Sequence, residues 1–304
     1  MAPEEENEIR ALISDIPALG TYGGPIQRLG GLTNRVYALG DFVLRVPGKG
    51  TEEYINRRNE AVMAREAAAS GVSPELIHMN AASGLMVTRR INDATTMSPE
   101  GFKTTPGAVT RAAQALRQLH QSGRSFPSRF ELFAMIDDYL KIIATKDVEL
   151  PVGYHEVVRE TEAIRHALNS KSAKLAPCHC DPLCENFIDT GTRMWIVDWE
   201  YGGMNDPVWD LGDLSVEGAF TPEQDMELLH AYFRDTPSAH DHGRMVIYKA
   251  MCDLLWTLWG LIQHANNNPA DDFSAYALNR FNRCKALMAT ADFRRHVAAV
   301  ASQK

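Results

Sequence analysis

The chain has 304 residues, of which 45% are hydrophobic and 23% are charged. These fractions are typical of a folded protein and argue against a disordered chain, a collagen-like repeat or a small disulfide scaffold. Thirty-one lysines and arginines face 39 aspartates and glutamates, a formal charge of −8, which disfavours non-specific binding to nucleic acid. A typical domain has ~150 residues, so the length predicts two domains or one large bilobal domain.

Three features of the sequence predict the cellular location of the protein. Residues 1–7 lack the basic start and apolar run of a secretory signal, so we expect a frayed acidic end. The longest apolar run, residues 254–262, is short of the ~18 residues of a membrane span, so no membrane span is expected. Five cysteines without an export signal predict free thiols in a cytoplasmic protein.

Taken in chain order, the elements fall into two parts. Short β-type runs separated by turn signals predict a small antiparallel sheet, with strands at residues 27–31, 35–39, 42–46 and 85–91. A helix at residues 52–70, ended by Gly71, interrupts these runs. Beyond residue 92 we expect mostly helix, at residues 107–121, 132–145, 153–170, 222–233, 240–264, 273–289 and 292–301. The sequence thus predicts an α+β fold with an N-lobe over residues 1–91 and a C-lobe over residues 92–304, and a ligand cleft between them.

One stretch, residues 175–199, departs from the helical pattern and carries the most informative motif. A polar loop contains Asp181 and Asn186, and a following apolar strand ends at Asp198. In phosphoryl transfer, one carboxylate accepts the proton of the attacking hydroxyl, while an amide and a second carboxylate hold Mg²⁺ on the phosphates. Each residue alone is common in turns. Together they indicate a phosphotransferase.

Other motifs leave alternatives open. Cys178, Cys180 and Cys184 surround His179 and suggest zinc, but no second Cys or His pair at zinc-finger spacing completes such a site. Arg45 interrupts an apolar strand, so it either faces inward and needs a partner or faces water at a sheet edge.

Two further patterns also have two interpretations. Gly30 and Gly31 allow backbone N–H groups to approach a phosphate, although a Gly-Gly pair is also typical of an ordinary turn. Trp256 and Trp259 lie on one helix face, and indoles at that spacing alone predict core packing.

Together these motifs resemble those of the choline and ethanolamine kinases, within the aminoglycoside phosphotransferase group of protein-kinase-like folds. The resemblance rests on the loop at Asp181, the strand that ends at Asp198 and the run over residues 199–212, and it covers nearly the whole chain. It implies a bilobal protein-kinase-like fold with a small antiparallel-sheet N-lobe and a larger, mostly helical C-lobe. It also implies transfer of the γ-phosphate of ATP to the hydroxyl of choline.

The resemblance assigns roles to individual residues. It implies that Asp181 is the general base, that Asn186 and Asp198 hold Mg²⁺, and that His179 and Asp210 brace the loop. The residues that it places at the nucleotide are Gly30, Gly31, Thr33, Asn34, Arg45, Glu60, Arg90 and Ile91, with adenine meeting the hinge at residues 88–91. Glu66 is an alternative to Glu60 as the partner of Arg45.

For the acceptor, the resemblance implies a choline pocket formed by Trp256, Trp259, Tyr276 and Glu217. A quaternary ammonium group donates no hydrogen bond and is recognised by aromatic faces, whereas Glu217 would offset its charge. Alternatively, Glu217 is a solvated carboxylate on a helix surface, without a role in binding. Cys180 and Cys184 depart from the family pattern, at positions without a catalytic role.

Two other classes of function remain as alternatives. A related kinase would act on ethanolamine, thiamine or an aminoglycoside, and the aromatic set argues against it because primary ammonium groups need hydrogen-bond acceptors. A non-catalytic nucleotide-binding protein is disfavoured because all the phosphotransfer residues are present. Nothing in the sequence indicates an oligomeric state.

Overall fold

The computed structural model describes residues 1–30, 34–48, 51, 55–170 and 173–302. The predicted antiparallel sheet is confirmed, with five strands in the order β1-β2-β3-β5-β4. The strands are β1 (Gln27–Gly30), β2 (Arg35–Leu39), β3 (Phe42–Val46), β4 (Leu76–Met79) and β5 (Met86–Arg89). Strand β4 was not predicted. Its four residues are all half-buried, and its pairing register with β5 shifts. The segment therefore lacks the alternation of buried and exposed residues that marks a strand.

The expectation of a frayed N-terminus is wrong. Helix α1 (Pro3–Ser14) covers one part of the sheet, and Ile9 and Ile13 are buried against the core residues of the strands. The spacing of these isoleucines forms an apolar stripe. The acidic residues that suggested fraying lie in the first helical turn, where negative charge favours a helix.

The second predicted helix is shorter than expected at its start. Helix α2 (Arg57–Ser70) begins after Asn56, whose side chain accepts hydrogen bonds from two backbone N–H groups of the first turn. Such a cap satisfies groups that have no partner within the helix. Gly71, with φ of +81°, ends the helix as predicted. Residues 52–54 lie outside the described part of the chain.

The rest of the chain is mostly helical, as predicted. Its helices are α3 (Pro99–Thr104), α4 (Ala108–His120), α5 (Leu132–Ile143), α6 (Tyr154–Asn169), α7 (Val208–Glu217), α8 (Pro222–Phe233), α9 (Ala239–Ala265), α10 (Phe273–Met288) and α11 (Ala291–Ala301). Helices α3 and α7 were not predicted. Helix α7 is buried over eight consecutive residues, so it has no polar face to produce a helical period.

Helix α9 is the centre of this region and packs against α5, α7, α10 and α11. It has 27 residues and is, by length and composition, apolar enough to cross a membrane. In the fold, however, 94% of its apolar window is buried inside the protein. The core helix of a folded protein passes the same compositional test.

Short strands position the loop that carries the phosphotransfer motif. Strand β7 (Ala176–Cys178) pairs with β10 (Gly203–Asn205), and β8 (Phe187–Asp189) pairs with β6 (Thr95–Thr96) and β9 (Met194–Ile196). The predicted apolar strand before Asp198 is therefore confirmed as β9. The lobe boundary at residue 91 lies between β5 and β6 and stays a prediction.

Candidate active site

The loop after β7 is held from behind by one buried carboxylate. Asp210, on α7, accepts hydrogen bonds from the backbone N–H groups of His179 at 2.7 Å and Cys180 at 2.9 Å. The His120 ring approaches the same carboxylate at 2.9 Å. Charge-assisted bonds of this kind are about twice as strong as neutral ones. The expectation that Asp210 braces the loop is confirmed.

His179 fixes the loop on the other side. Its Nε2 lies 2.8 Å from the carbonyl oxygen of Val197, and its Nδ1 accepts a hydrogen bond from the N–H of Asp181. Burial lowers the pKa of this imidazole, which favours the neutral ring. A neutral ring with a donor at Nε2 and an acceptor at Nδ1 matches both contacts. His179 therefore braces the loop, as expected.

Two non-glycine residues of this region, Cys180 and Asp198, adopt a φ of +67°. Such a conformation costs on the order of 1–3 kcal/mol and persists only where the surroundings hold it. At Cys180 the holding contacts are the carboxylate of Asp210 and the indole N–H of Trp209, which donates to the Cys180 carbonyl. The loop therefore turns sharply and presents Asp181 beyond the bend.

Asp181 lies among other acidic groups. Removal from water raises the pKa of its carboxyl well above the usual range, and the negative charges of Glu217, Asp198 and Glu200 raise it further. Arg280 opposes this rise. Asn186 donates from its side chain to the backbone carbonyl of Asp181 at 3.0 Å. The structure thus brings the predicted Asp181, Asn186 and Asp198 to one place.

Arg45 faces inward, and its alternative as a charge in water at a sheet edge is wrong. It is 5% exposed and forms ion pairs with Glu60 and, at 2.5 Å, with Asp198. Glu66 instead pairs with Arg124 at 3.0 Å. The geometry therefore selects Glu60 as the partner of Arg45.

Sequence reasoning missed two members of this network, Glu200 and Arg57. Arg57 lies 2.8 Å from Glu60 and 3.3 Å from Glu200. Burial and the charge of Asp198 raise the pKa of Glu200 to about 7. The carboxylate oxygens of Glu60, Asp198 and Glu200 lie within 4.8 Å of one another. The only sequence signal was the position of Glu200, two residues after Asp198.

The other residues predicted to bind the nucleotide differ in their contacts with this network. Asn34 is buried and donates to Asp198 at 3.4 Å and to Glu200 at 3.3 Å. Gly30 ends β1 with φ of +149°, a conformation that side-chain-bearing residues rarely adopt. Arg90 and Ile91 follow β5 and are half-buried. The predictions for Gly31 and Thr33 lie outside the described residues.

The predicted aromatic residues form one cluster. The ring centroids of Trp256 and Trp259 are 6.4 Å apart, and those of Trp259 and Tyr276 are 5.7 Å apart. Tyr201, which was not predicted, packs edge-on against Trp256 at 5.1 Å. The indole N–H groups of both tryptophans are buried and have no hydrogen-bond partner among the described residues.

An arginine that sequence reasoning missed lies within this cluster. Arg280, on α10, pairs with Glu217 at 2.6 Å and also contacts Asp253. Its guanidinium carbon lies 4.5 Å from the ring centre of Tyr276, a cation–π distance. Glu217 is only 11% exposed at its side chain, so the alternative of a solvated helix carboxylate is wrong. Arg280 follows Tyr276 by four residues, the spacing that places both on one helix face.

The cysteines near His179 do not converge on one point. Cys178, Cys180 and Cys184 are free and buried, and burial raises the pKa of each thiol. Among the described residues, no group of closely spaced candidate ligands contains two of them. A protonated, dispersed set of thiols is a poor zinc site.

The fold and the site together define a phosphotransferase with a protein-kinase-like architecture. Strand β3 of the small antiparallel sheet and helix α2 supply an arginine–glutamate pair, and the helical region supplies a braced Asp-Asn loop and the aspartate that follows strand β9. The family model for the "Phosphotransferase enzyme family" matches residues 26–245.

Solved structures give a finer match. The chain is 63% identical to a choline/ethanolamine kinase family protein from Mesorhizobium loti, with a TM-score of 0.92 over 98% of this chain and 99% of that one. It is 27% identical to the choline kinase LicA from Streptococcus pneumoniae, with a TM-score of 0.79 over 94% and 99% of the two chains. A LicA structure in complex with AMP aligns at 27% identity with a TM-score of 0.77, over 95% and 99%. The chain belongs to the phosphotransferase enzyme family and, within it, to the choline/ethanolamine kinases.

Proposed function

We propose that this protein is an ATP-dependent kinase that phosphorylates the hydroxyl group of choline to give phosphocholine. The observation that carries the proposal is the position of Asp181. Its carboxyl responds to the charges of Asp198 and Glu200 on one side and of Glu217 and Arg280 on the other. A single acid–base group thus lies between an oxygen-rich ion network and an aromatic cluster. A kinase for a cationic alcohol needs this arrangement.

In this proposal the ion network binds MgATP. Arg45 contacts the phosphates and is oriented by Glu60, while Gly30 and Asn34 lie beside them and Arg90 and Ile91 lie near adenine. The phosphate roles of Gly31 and Thr33, outside the described residues, stay predictions. The LicA structure solved in complex with AMP supports nucleotide binding by this fold. Asn186 and Asp198 would hold Mg²⁺, because an amide oxygen and a carboxylate are ligands that suit this ion, and the carboxylate oxygens of Glu60 and Glu200 lie within 4.8 Å of that of Asp198. When bound, Mg²⁺ neutralises phosphate charge.

The aromatic cluster receives the cationic end of the acceptor. Trp256, Trp259 and Tyr276 offer aromatic surfaces to a trimethylammonium group, and Glu217 adds negative charge beside them. Each well-placed aromatic face contributes about 0.5–2 kcal/mol to a cation that has left water. The hydroxyl end of the acceptor then lies towards Asp181.

Asp181 acts on that hydroxyl as general base. It orients the oxygen towards the γ-phosphate and accepts its proton, so that proximity and alignment supply most of the rate acceleration. The brace formed by Asp210 and His179 holds the loop during this step. A shift of about 1 Å at the reacting atoms can cost roughly 100-fold in rate.

The test measures ADP release with choline, ethanolamine, thiamine and an aminoglycoside, with phosphocholine identified by ³¹P NMR. Asp181→Asn should keep the fold and MgATP affinity and lose about 10²–10⁴ in kcat, which is typical of removing a general base. Asp138→Asn, an exposed change on α5, is the matched control. A near-normal kcat in Asp181→Asn would refute the role of base, and absence of turnover with every amino alcohol would refute the proposed function.

Ethanolamine is the second candidate acceptor, because the Mesorhizobium loti relative carries a name that covers both substrates and carboxylates line the cluster. Its three N–H donors need acceptors that aromatic rings do not provide. We also propose a cytoplasmic location. Its support is that all five cysteines are free and buried, which suits a reducing compartment.

A further inference from the structure

Asp213 lies beside the aromatic cluster and had no predicted role. It occupies α7 one turn before Glu217 and is fully buried. Its Oδ1 accepts a hydrogen bond from the thiol of Cys252 at 3.0 Å. Its Oδ2 has no hydrogen-bond partner among the described residues. Buried polar atoms are nearly always paired, so this oxygen needs a partner that the described residues do not supply.

The neighbouring cations are already engaged with other carboxylates. Arg280 pairs with Glu217, and Arg283 lies 2.5 Å and 3.1 Å from the two oxygens of Asp253. Within the described chain, Asp213 takes part in no ion pair. An ionised carboxylate in such a place is costly, which favours the neutral acid while the site is empty.

The groups that face Asp213 come from four elements. Burial raises the pKa of Asp213 well above the usual range, and Glu217 on its own helix and Asp181 on the loop raise it further. The thiol of Cys252 on α9 and Arg280 on α10 oppose the rise. The same carboxyl would therefore ionise more readily once a positive charge arrived.

Other unpartnered groups surround the same point. Seven buried side-chain polar atoms of the described chain have no hydrogen-bond partner, and four belong to Asp213, Trp256, Trp259 and Arg280. Cys252, which contacts Asp213, precedes Trp256 by one helical turn. The clustering of these atoms at the indole pair indicates a site built for a ligand.

A metal ion is a poor match for that ligand. The ligand atoms of Asp213, Glu217 and Cys252 lie within 4.8 Å of one another. However, Glu217 is held by Arg280, and burial raises the pKa of the Cys252 thiol, whereas metals bind the thiolate. An organic cation needs only a negative charge and apolar walls.

We propose that Asp213 is the carboxylate that neutralises the cationic group of the acceptor, and that it loses its proton when the cation binds. This inference rests on the proposed function, since it takes the aromatic cluster as the site of the ammonium group. No covalent bond changes. The empty site holds a neutral acid, whereas the occupied site holds a carboxylate beside a cation, and one proton passes to solvent. Affinity for the cation therefore rises with pH while Asp213 is protonated in the empty protein.

The test uses choline and tetramethylammonium, whose charge does not change with pH. Titration calorimetry in two buffers of different ionisation enthalpy counts the protons released, and the affinity is measured across a pH series. For the wild type we expect proton release and a Kd that falls by up to about tenfold per pH unit. Asp213→Asn, which keeps the shape, should release up to one proton fewer and flatten the series. Because Asp181 and Asp213 influence each other's pKa, Asp181→Asn in the same titrations identifies the protons that Asp181 contributes.

A second variant keeps the test sharp if Asp213→Asn folds poorly. Cys252→Ala removes the bond that lowers the pKa of Asp213, so the steep part of the affinity series should move to higher pH. An unchanged proton count and slope in Asp213→Asn, or an unmoved series in Cys252→Ala, would overturn the inference. If these failures occur while the wild type phosphorylates choline, the proposed function stands. If the wild type neither binds nor phosphorylates choline, both fail.

Discussion

Replacement of Arg45 by alanine tests the ion network most directly. Arg45 is 5% exposed and contacts Glu60, Asp198 and Glu200. Its removal leaves Glu60, which has no exposed surface, with Arg57 as its remaining partner. Loss of one member of a buried ion pair costs about 3–5 kcal/mol because the other charge stays buried. We therefore expect Arg45→Ala to lose about 3–5 kcal/mol of unfolding free energy.

Urea unfolding measures this loss, and steady-state kinetics measures the functional part. Under the proposed function, the KM for ATP should rise more than the KM for choline. The matched control is Arg159→Ala, since Arg159 pairs with Glu156 on the surface of α6 with both side chains largely exposed; such pairs contribute about 0–1 kcal/mol. Arg45→Lys retains the charge without the planar fork and should recover part of the stability. A loss in Arg45→Ala no larger than in Arg159→Ala, or an equal rise in both KM values, would refute this reasoning.

Two further changes address the acceptor side. The wild type should prefer choline to ethanolamine by at least about tenfold in kcat/KM. Trp259→Ala should lower this ratio of kcat/KM values, whereas the control Trp195→Ala on β9 should leave it unchanged. An unchanged ratio in Trp259→Ala would mean that the two indoles only pack in the core. Asp213→Asn should become more stable relative to the wild type as the pH rises from about 5 to about 8. The sign follows because a carboxyl whose folded pKa is raised contributes stability below its unfolded pKa and loses that contribution as pH rises through the folded value. Equal differences in urea midpoint at both pH values would contradict it.

The sequence predicted those parts of the site that depend on local spacing. Asp181 and Asn186 share one loop, and Asp198 lies two residues beyond β9, in the apolar run that the sequence marked as a strand. Neighbours in the chain therefore remain neighbours in space. The inward orientation of Arg45 was one of the two predicted alternatives, because a charge that faces inward from an apolar strand requires a partner. The sequence left Glu60 and Glu66 as alternative partners of Arg45, and the geometry of α2 selects Glu60.

The parts that sequence reasoning missed depend on contacts between distant elements. Arg57 and Glu200 are 143 residues apart in the chain, and no local pattern joins them. Asp213 lies in α7, which is buried on all sides and therefore shows no helical period. Arg280 stood at helical spacing from Tyr276, but only the packing of α10 against α9 shows that its charge enters the aromatic cluster and pairs with Glu217.

The two halves of the site have the same balance of charge. In the described chain, Arg45 and Arg57 face Glu60, Asp198 and Glu200. Arg280 and Arg283 pair with Glu217 and Asp253, whereas Asp213 nearby has no ion pair among the described residues. Each half thus has one carboxyl more than its arginines can match. Asp181 lies between them. Its removal from water raises its pKa most, and the charges of Glu217, Asp198 and Glu200 raise it further. Because MgATP is itself an anion, the cationic acceptor is the substrate that opposes that rise. Under the proposed function, Asp181 therefore ionises more readily once the acceptor is bound, and the base is ready when its own substrate is in place.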